Sequence, residues 1–233
     1  MANFFKGIHR LRLSSNFIMK KIIKLFVMAT LLMAGCRNNH EYVDLGLPSG
    51  TLWATSNVGA DTPEGYGDYF AWGETKPKST YDWTTYKYAN GKDDKLTKYC
   101  NESDYGYNGF TDKLTVLQSG DDAATANWGS DWCMSTKEQW EELRKNTTNK
   151  WTTQNGVNGL LFTASNGNSL FLPAAGYRWI GEFHEVGLRG DYWSSSLNTD
   201  SPDYAWYFDS DYYDMAYIDR CSGHSVRAVR SAR

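Results

Sequence analysis

Helix-forming signals are confined to the middle of the chain, and this placement constrains the fold more than any other feature. Ser135 and Glu138 have the spacing of a capping box, in which each residue satisfies a free backbone N–H group of the other. Trp140 and Leu143 follow on one face of that helix, and a second, weaker helix signal lies at residues 121–126. Strand-like segments lie on both sides of these helices. The order predicts an α+β fold rather than repeated βαβ units.

The segments that we interpret as strands alternate apolar with polar or small residues. They are residues 42–47, 51–55, 69–72, 160–163 and 169–172, followed by much of 192–229. Pro48-Ser49-Gly50 and Asn166-Gly167 have the composition of tight turns, so each predicts a β-hairpin. Residues 73–113 show no sustained period and are predicted to be long loops. Their aromatic residues are too many for a disordered linker, so we expect them to pack on the core.

The first 36 residues have the pattern of an export signal. Three lysines at positions 20–24 precede an apolar run at 25–34. This run is too short to span a bilayer, because a membrane helix needs roughly 20 residues. It ends in Leu32-Met33-Ala34-Gly35-Cys36, which resembles the bacterial lipobox, and the resemblance implies that Cys36 is lipidated.

We therefore expect a signal peptide at 1–35, a lipidated tether at 36–40 and a single domain at 41–233. Residues 1–18 lie upstream of the signal, and we hypothesise that they are a miscalled start. The alternative to the lipobox is ordinary secretory cleavage, with Cys36 as a plain thiol. Lipidation would place the protein on a membrane through its anchor. It would then be an outer-membrane lipoprotein that faces the cell surface or the periplasm.

Charge and cysteine usage exclude several classes of function. The formal net charge of −3 gives no basic surface for nucleic acid. Cys100, Cys133 and Cys221 are an odd number of thiols without a C-x-x-C pair, and the histidines are scattered. We therefore expect no metal site and no cofactor.

Six segments together resemble one protein family. They are YVDLGLPSGTLWA (42–54), GDYFAWGE (67–74), WCMSTKEQW (132–140), LPAAGYR (172–178), YWSSS (192–196) and SVR (225–227). In this order they resemble the FISUMP-type major paralogous domain of gut-bacterial lipoproteins, although that family usually has Pro where Ser135 stands. The resemblance covers roughly residues 41–230. It implies a C-type lectin-like fold: a twisted antiparallel sheet, two flanking helices, long loops, and terminal strands that lie together.

The segment from Tyr204 to His224 is unusually rich in three residue types. Of its 21 residues, 11 are Tyr, Asp or Ser. Tyrosine supplies rigid contact area at low entropy cost, and Ser and Asp supply adaptable polar contacts, as in a paratope. The segment also resembles the variable cassette of proteins diversified by diversity-generating retroelements, which implies randomisation at adenine-rich codons. In such a cassette, Trp206, Phe208 and Met215 would have to be fixed or only partly variable positions.

These observations predict a receptor-like or adhesin-like protein that binds through the end of the chain. The candidate ligand-binding residues are Tyr207, Asp209, Asp211, Tyr212, Asp214, Ala216, Tyr217, Ile218, Asp219, Cys221, Ser222 and His224. The expected partner is a protein or glycan on a cell, a phage or a host surface. The alternative is that the tyrosines cover the sheet as ordinary strand residues. The protein would then be a structural or adhesive subunit of the cell envelope.

Enzyme chemistry finds little support in the sequence. The lectin-like fold also occurs in formylglycine-generating enzymes, which use a reactive cysteine pair near the C-terminus, whereas only Cys221 lies there. Ser201-Pro202-Asp203 lacks the first ligand of the calcium-dependent sugar motif. No Gly-x-Ser-x-Gly elbow is present. We therefore expect a protein that is not an enzyme.

Overall fold

The computed structural model of the chain describes residues 40–231, and over that range the fold is α+β and dominated by antiparallel sheet. Two α-helices are described, α1 (Ala123–Trp128) and α2 (Lys137–Asn146). The strands are β1 (Tyr42–Asp44), β2 (Thr51–Ala54), β3 (Cys133–Met134), β4 (Thr147–Gln154), β5 (Val157–Ala164), β6 (Ser169–Pro173), β7 (Tyr177–Trp179), β8 (Glu182–His184), β9 (Asp191–Leu197), β10 (Tyr204–Asp209), β11 (Asp214–Asp219) and β12 (Ala228–Ser231). The expected signal peptide and Cys36 lie outside the described residues. Within these residues, neither helix has the length and apolar content that a membrane crossing requires.

The first and last described strands lie in one sheet. The order is β1-β2-β12-β3, and Val229 of β12 lies opposite both Trp53 of β2 and Cys133 of β3. Trp53 and Val229 are fully buried, so this pairing closes the core from both ends of the domain. The hairpin predicted around Pro48-Ser49-Gly50 is confirmed by the pairing of β1 with β2.

The other strands form three further antiparallel sheets, so the described chain has four sheets where a single twisted sheet was expected. Their orders are β4-β5-β6, β11-β10-β9 and β7-β8. The hairpin predicted at Asn166-Gly167 is confirmed between β5 and β6, with Gly167 at the left-handed φ of 87° that this turn requires.

Helix α2 packs on the β11-β10-β9 sheet through Trp140 and Leu143, the two residues that the sequence pattern placed on one face of the helix. Trp140 and Leu143 are fully buried. The Trp140 ring stacks on Phe208 of β10, with 4.9 Å between ring centroids and 9° between planes. Phe162 of β5 contacts the same Phe208 ring. The helix therefore joins the β4-β5-β6 sheet to the back of β10.

The predicted capping box exists, but it begins one residue later than expected. Thr136 is the N-cap: its hydroxyl accepts a bond from the Gln139 N–H (3.3 Å), and the Gln139 side chain accepts one from the Thr136 N–H (2.9 Å). Ser135 is fully buried, and its carbonyl accepts a bond from the Ser195 N–H (2.8 Å). Tertiary packing therefore holds Ser135 outside the helix. The weaker prediction at 121–126 corresponds to α1, which Asp122 caps by accepting from the Thr125 N–H.

The aromatic residues of the long loops pack on the core, as predicted. Tyr81, Tyr86 and Tyr88 are all buried. The Tyr86 hydroxyl donates to the Trp72 carbonyl (2.7 Å). The strand predicted at 69–72 is wrong, because pairing there is limited to one bridge between Phe70 and His224. The N–H group of Trp72, two residues further on, donates to the Arg220 carbonyl, so the ladder does not continue.

Candidate binding surface

The candidate residues lie on and after a β-hairpin at the edge of the β11-β10-β9 sheet. Strand β10 pairs with β9 on one side and with β11 on the other, and β11 is the edge strand. Trp206 lies opposite Tyr217, and Asp209 lies opposite Asp214. Residues 210–213 form the turn between them. The strands expected in this part of residues 192–229 are confirmed as β10 and β11.

Four candidate residues are exposed on this hairpin: Asp211, Tyr212, Asp214 and Tyr217. The fractional exposure is 76% for Tyr212 and 54% for Tyr217, which is high for aromatic side chains. Asp214 is also held from the side, because Arg144 of α2 forms an ion pair with its carboxylate.

The prediction that the whole segment faces outward is wrong for five candidate residues, which are buried. They are Tyr207, Asp209, Cys221, Ser222 and His224. The register explains Tyr207, because it shares with Ala205 the face of β10 that packs against the core. His224 is enclosed by rings, with its centroid 4.3 Å from that of Trp193 and 5.0 Å from that of Tyr207. No partner can reach these side chains while the domain stays folded.

Three further candidates are half-buried. Ala216 and Ile218 pack against the core on the same face as Tyr207. Asp219 is half-buried opposite Tyr204, and burial together with the nearby Asp203 and Asp93 carboxylates raises its pKa. These three residues therefore help to hold the hairpin on the core and contribute little to its exposed surface.

A buried ionic group holds the turn of the hairpin in place. One Asp209 carboxylate oxygen accepts from the Asp211 N–H (2.8 Å) and the Tyr212 N–H (3.4 Å). Arg189 lies behind it, 2.9 Å from the Asp191 carboxylate and 3.9 Å from that of Asp209. Burial raises the pKa of Asp191 to about 7. The Arg189 charge opposes this shift, and the Asp209 charge adds to it.

A fully buried arginine fixes the chain just after β11. Arg220 donates to the carbonyls of Pro202 (2.7 Å), Tyr99 (2.9 Å) and Lys98 (3.0 Å), and to the Tyr86 hydroxyl (3.0 Å). Both ends of β11 are therefore tied to the frame, one through Asp209 and the other through Arg220. Such tethering keeps the exposed side chains in one arrangement before any partner arrives, which lowers the entropy cost of binding.

Comparison with protein-family models, with curated proteins and with solved structures found no match. Function is therefore inferred from the hairpin itself.

Three half-buried residues beside Tyr217 were not among the candidates: Tyr204, Trp206 and Lys137. The Tyr204 and Tyr217 rings stack at 5.6 Å, Trp206 meets Tyr217 edge-on at 5.4 Å, and the Lys137 ammonium lies 3.4 Å from the Trp206 ring centroid. A groove of about 380 Å³ runs beside Trp206 and Lys137. The alternation of side chains along β10 could have revealed Tyr204 and Trp206 as neighbours, because both lie on the same face of the strand. Codon composition instead set Trp206 aside.

The described residues offer no constellation for metal or thiol chemistry. No group of three His, Cys, Asp or Glu residues between 40 and 231 is placed to hold a metal ion. Cys100, Cys133 and Cys221 are unpaired. Burial raises the pKa of the Cys100 and Cys221 thiols, and desolvation of the sulfur raises the pKa of the more exposed Cys133 to about 11, so all three stay protonated at neutral pH. A protonated thiol is a poor nucleophile.

Proposed function

We propose that the chain is a ligand-binding surface lipoprotein with a lectin-like fold, not an enzyme, and that it contacts its partner through the β10–β11 hairpin. The partner is a protein or glycan on a cell, a phage or a host surface. One observation carries the proposal. Two exposed tyrosines and two exposed aspartates project from a hairpin whose turn Asp209 holds from behind.

Tyrosine and aspartate side chains on a fixed hairpin are well suited to recognising a partner. A tyrosine that becomes buried on binding contributes a large contact area and has few rotatable bonds. The aspartate carboxylates provide directional hydrogen-bond acceptors. The aromatic cluster formed by Tyr204, Trp206 and Tyr217 extends this surface along the sheet.

Several features support the lectin-like frame. The pairing of β2 with β12 brings the two ends of the domain together, as the family resemblance implies. Two helices and long, packed loops accompany it. We also propose that the domain is tethered to a membrane by lipid on Cys36, which would present the hairpin to other cells.

We further propose that the exposed positions of the hairpin are diversified. If so, DNA near the gene should carry a near-repeat of this segment, next to a reverse transcriptase, that differs at the codons for Asp211, Tyr212, Asp214 and Tyr217. Differences confined to the codons of buried residues such as Tyr207 would contradict this, because variation there would damage the core.

The binding proposal is tested with a variant that removes the exposed side chains together. The full chain is screened on an array that carries both glycans and purified cell-surface proteins. The variant Asp211→Ala/Tyr212→Ala/Asp214→Ala/Tyr217→Ala is then applied to the spots that the wild type binds. We expect binding to fall by at least tenfold, since truncation of one hot-spot tyrosine costs about 2 kcal/mol.

A matched control carries the same residue types away from the hairpin. Asp61, Asp104, Tyr42 and Tyr107 are all exposed, so their joint replacement by Ala removes two aspartates and two tyrosines without touching β10 or β11. The control should bind like the wild type. If the hairpin variant is folded and binds as well as the control, the hairpin is not the site, and a structural role in the cell envelope is favoured.

A further inference from the structure

A cleft lies beside the hairpin turn, and most of its wall comes from outside the hairpin. Trp151 of β4, Leu188 of the loop after β8 and Tyr213 of the turn line it together with Asp211, and its volume is about 330 Å³. The remaining lining residues are Asn158, Gly187 and Ser210. Volumes near this size suit one side chain or a small ligand.

Three apolar side chains from separate elements are left in solvent around this cleft. The exposed fraction is 36% for Trp151, 70% for Leu188 and 38% for Tyr213. Tyr213 also has a left-handed φ of 52°, a conformation that costs an L-residue roughly 1–2 kcal/mol. The chain therefore accepts an unfavourable backbone conformation where this ring joins the cleft.

The walls of the cleft are fixed by backbone pairing. Trp151 lies opposite Leu160 in the β4–β5 ladder. The Gly187 N–H donates to the Ala174 carbonyl (2.7 Å), and the Asp211 N–H donates to Asp209 (2.8 Å). A ligand would thus meet a formed site, and little ordering would be needed on binding.

Most polar groups of the cleft are already used within the protein. The Asn158 amide donates to the Gly187 carbonyl (3.1 Å) and accepts from the Thr153 hydroxyl (2.8 Å). The buried Ser210 hydroxyl accepts from the Gly190 N–H (2.7 Å). The Asp211 carboxylate is exposed and makes no ion pair with any residue between 40 and 231. The polar contact on offer is therefore a negative charge in a cleft that two aromatic side chains also line.

We propose that this cleft binds an arginine side chain presented by a protein partner. The inference rests on the proposed function and narrows its ligand from a protein or glycan to a protein. A guanidinium stacks on aromatic rings and pairs with a carboxylate, and its alkyl stem packs on apolar surface such as Leu188. A sugar would instead need several free hydrogen-bonding groups, and Asn158 and Ser210 are already engaged.

Fluorine NMR on the full chain tests this directly. The ten tryptophans are labelled with 5-fluorotryptophan, and the Trp151 resonance is assigned by its loss in Trp151→Phe. The probe is the peptide acetyl-Ala-Ala-Arg-Ala-Ala-amide, with the neutral citrulline peptide of the same shape as its comparison. We expect the arginine peptide to shift the Trp151 resonance selectively. Asp211→Asn should weaken that response about threefold, the size of an exposed ion pair, whereas Asp104→Asn should leave it unchanged.

The opposite results are equally clear. An unshifted Trp151 resonance, an equal shift by the citrulline peptide, or a response only to a sugar such as methyl glucoside would each overturn the arginine site. None of these would affect the array result, so loss of array binding in the hairpin variant would leave the proposed function standing. Conversely, unchanged array binding would end the proposed function, whatever the Trp151 resonance does.

Discussion

Asp191, which lies beside the β10–β11 hairpin, shows at the scale of one residue how burial changes the titration of a carboxyl group. Its carboxyl is fully buried, and burial raises its pKa to about 7 against the opposing charge of Arg189. An aspartate in the unfolded chain titrates near pH 4. Between about pH 4 and 7 the folded state therefore holds a proton that the unfolded state has released. The contribution of Asp191 to stability consequently falls as the pH rises through this window.

Asp191→Asn should remove that dependence, because the amide does not titrate. Relative to the variant, the wild type should lose unfolding free energy as pH rises from 4 to 7, with a slope approaching about 1.4 kcal/mol per pH unit. Urea unfolding of both proteins across this range measures the difference. The exposed Asp104→Asn serves as control, and parallel pH profiles for Asp191→Asn and wild type would contradict the assignment.

Residue composition predicted which segment forms the hairpin but not which residues face out. Tyr207 and Tyr217 are the same residue type in neighbouring strands, yet Tyr207 is 6% exposed and Tyr217 is 54% exposed. The difference comes from strand register, since a shift of one residue moves every side chain to the other face. Register depends on contacts with β9 and with α2, which a single sequence does not display.

At the scale of elements, the start of α2 has two possible N-caps with the same local sequence pattern, and a tertiary contact decides between them. Ser135 with Glu138 and Thr136 with Gln139 both have capping-box spacing. Only Thr136 is free to cap, because the Ser135 carbonyl is bonded to Ser195 of β9. Local propensity placed this helix to within one residue, and a contact across the fold decided the rest.

Thr136→Ala should therefore destabilise the domain, and Ser135→Ala should not. Loss of an N-cap typically costs about 1 kcal/mol. The Ser135 hydroxyl is buried without a hydrogen-bond partner among the described residues, so its removal should be neutral or slightly stabilising. Denaturant midpoints of the two variants measure the contrast. A larger loss for Ser135→Ala would mean that the helix starts where the sequence first suggested.

We predict that the left-handed backbone of Tyr213 in the hairpin turn lowers the stability of the domain. Tyr213→Gly relieves the left-handed backbone, whereas Tyr212→Gly, at a neighbour without a positive φ, only adds freedom to the unfolded chain. We expect Tyr213→Gly to be the more stable of the two by about 1 kcal/mol. Thermal unfolding checks this. Equal melting temperatures would show that no strain is stored at Tyr213.

At the scale of the whole molecule, the α+β class followed from the order of helix and strand signals. The division into four sheets did not, because it depends on pairings between distant segments, such as Val229 with Trp53 and Cys133. Buried arginines were equally invisible in the sequence. Arg220 satisfies its charge with carbonyl groups contributed by loops more than 100 positions away as well as by Pro202.

Hydroxyl-radical footprinting tests the central claim most directly, with and without the target that the array identifies. In the free chain, Tyr212 and Tyr217 should be oxidised readily and Tyr207 should be protected by burial. Adding the target should protect Tyr212 and Tyr217 and leave the exposed Tyr42 and Tyr107 reactive. Protection of Tyr42 or Tyr107, with no change at Tyr212 and Tyr217, would contradict the account.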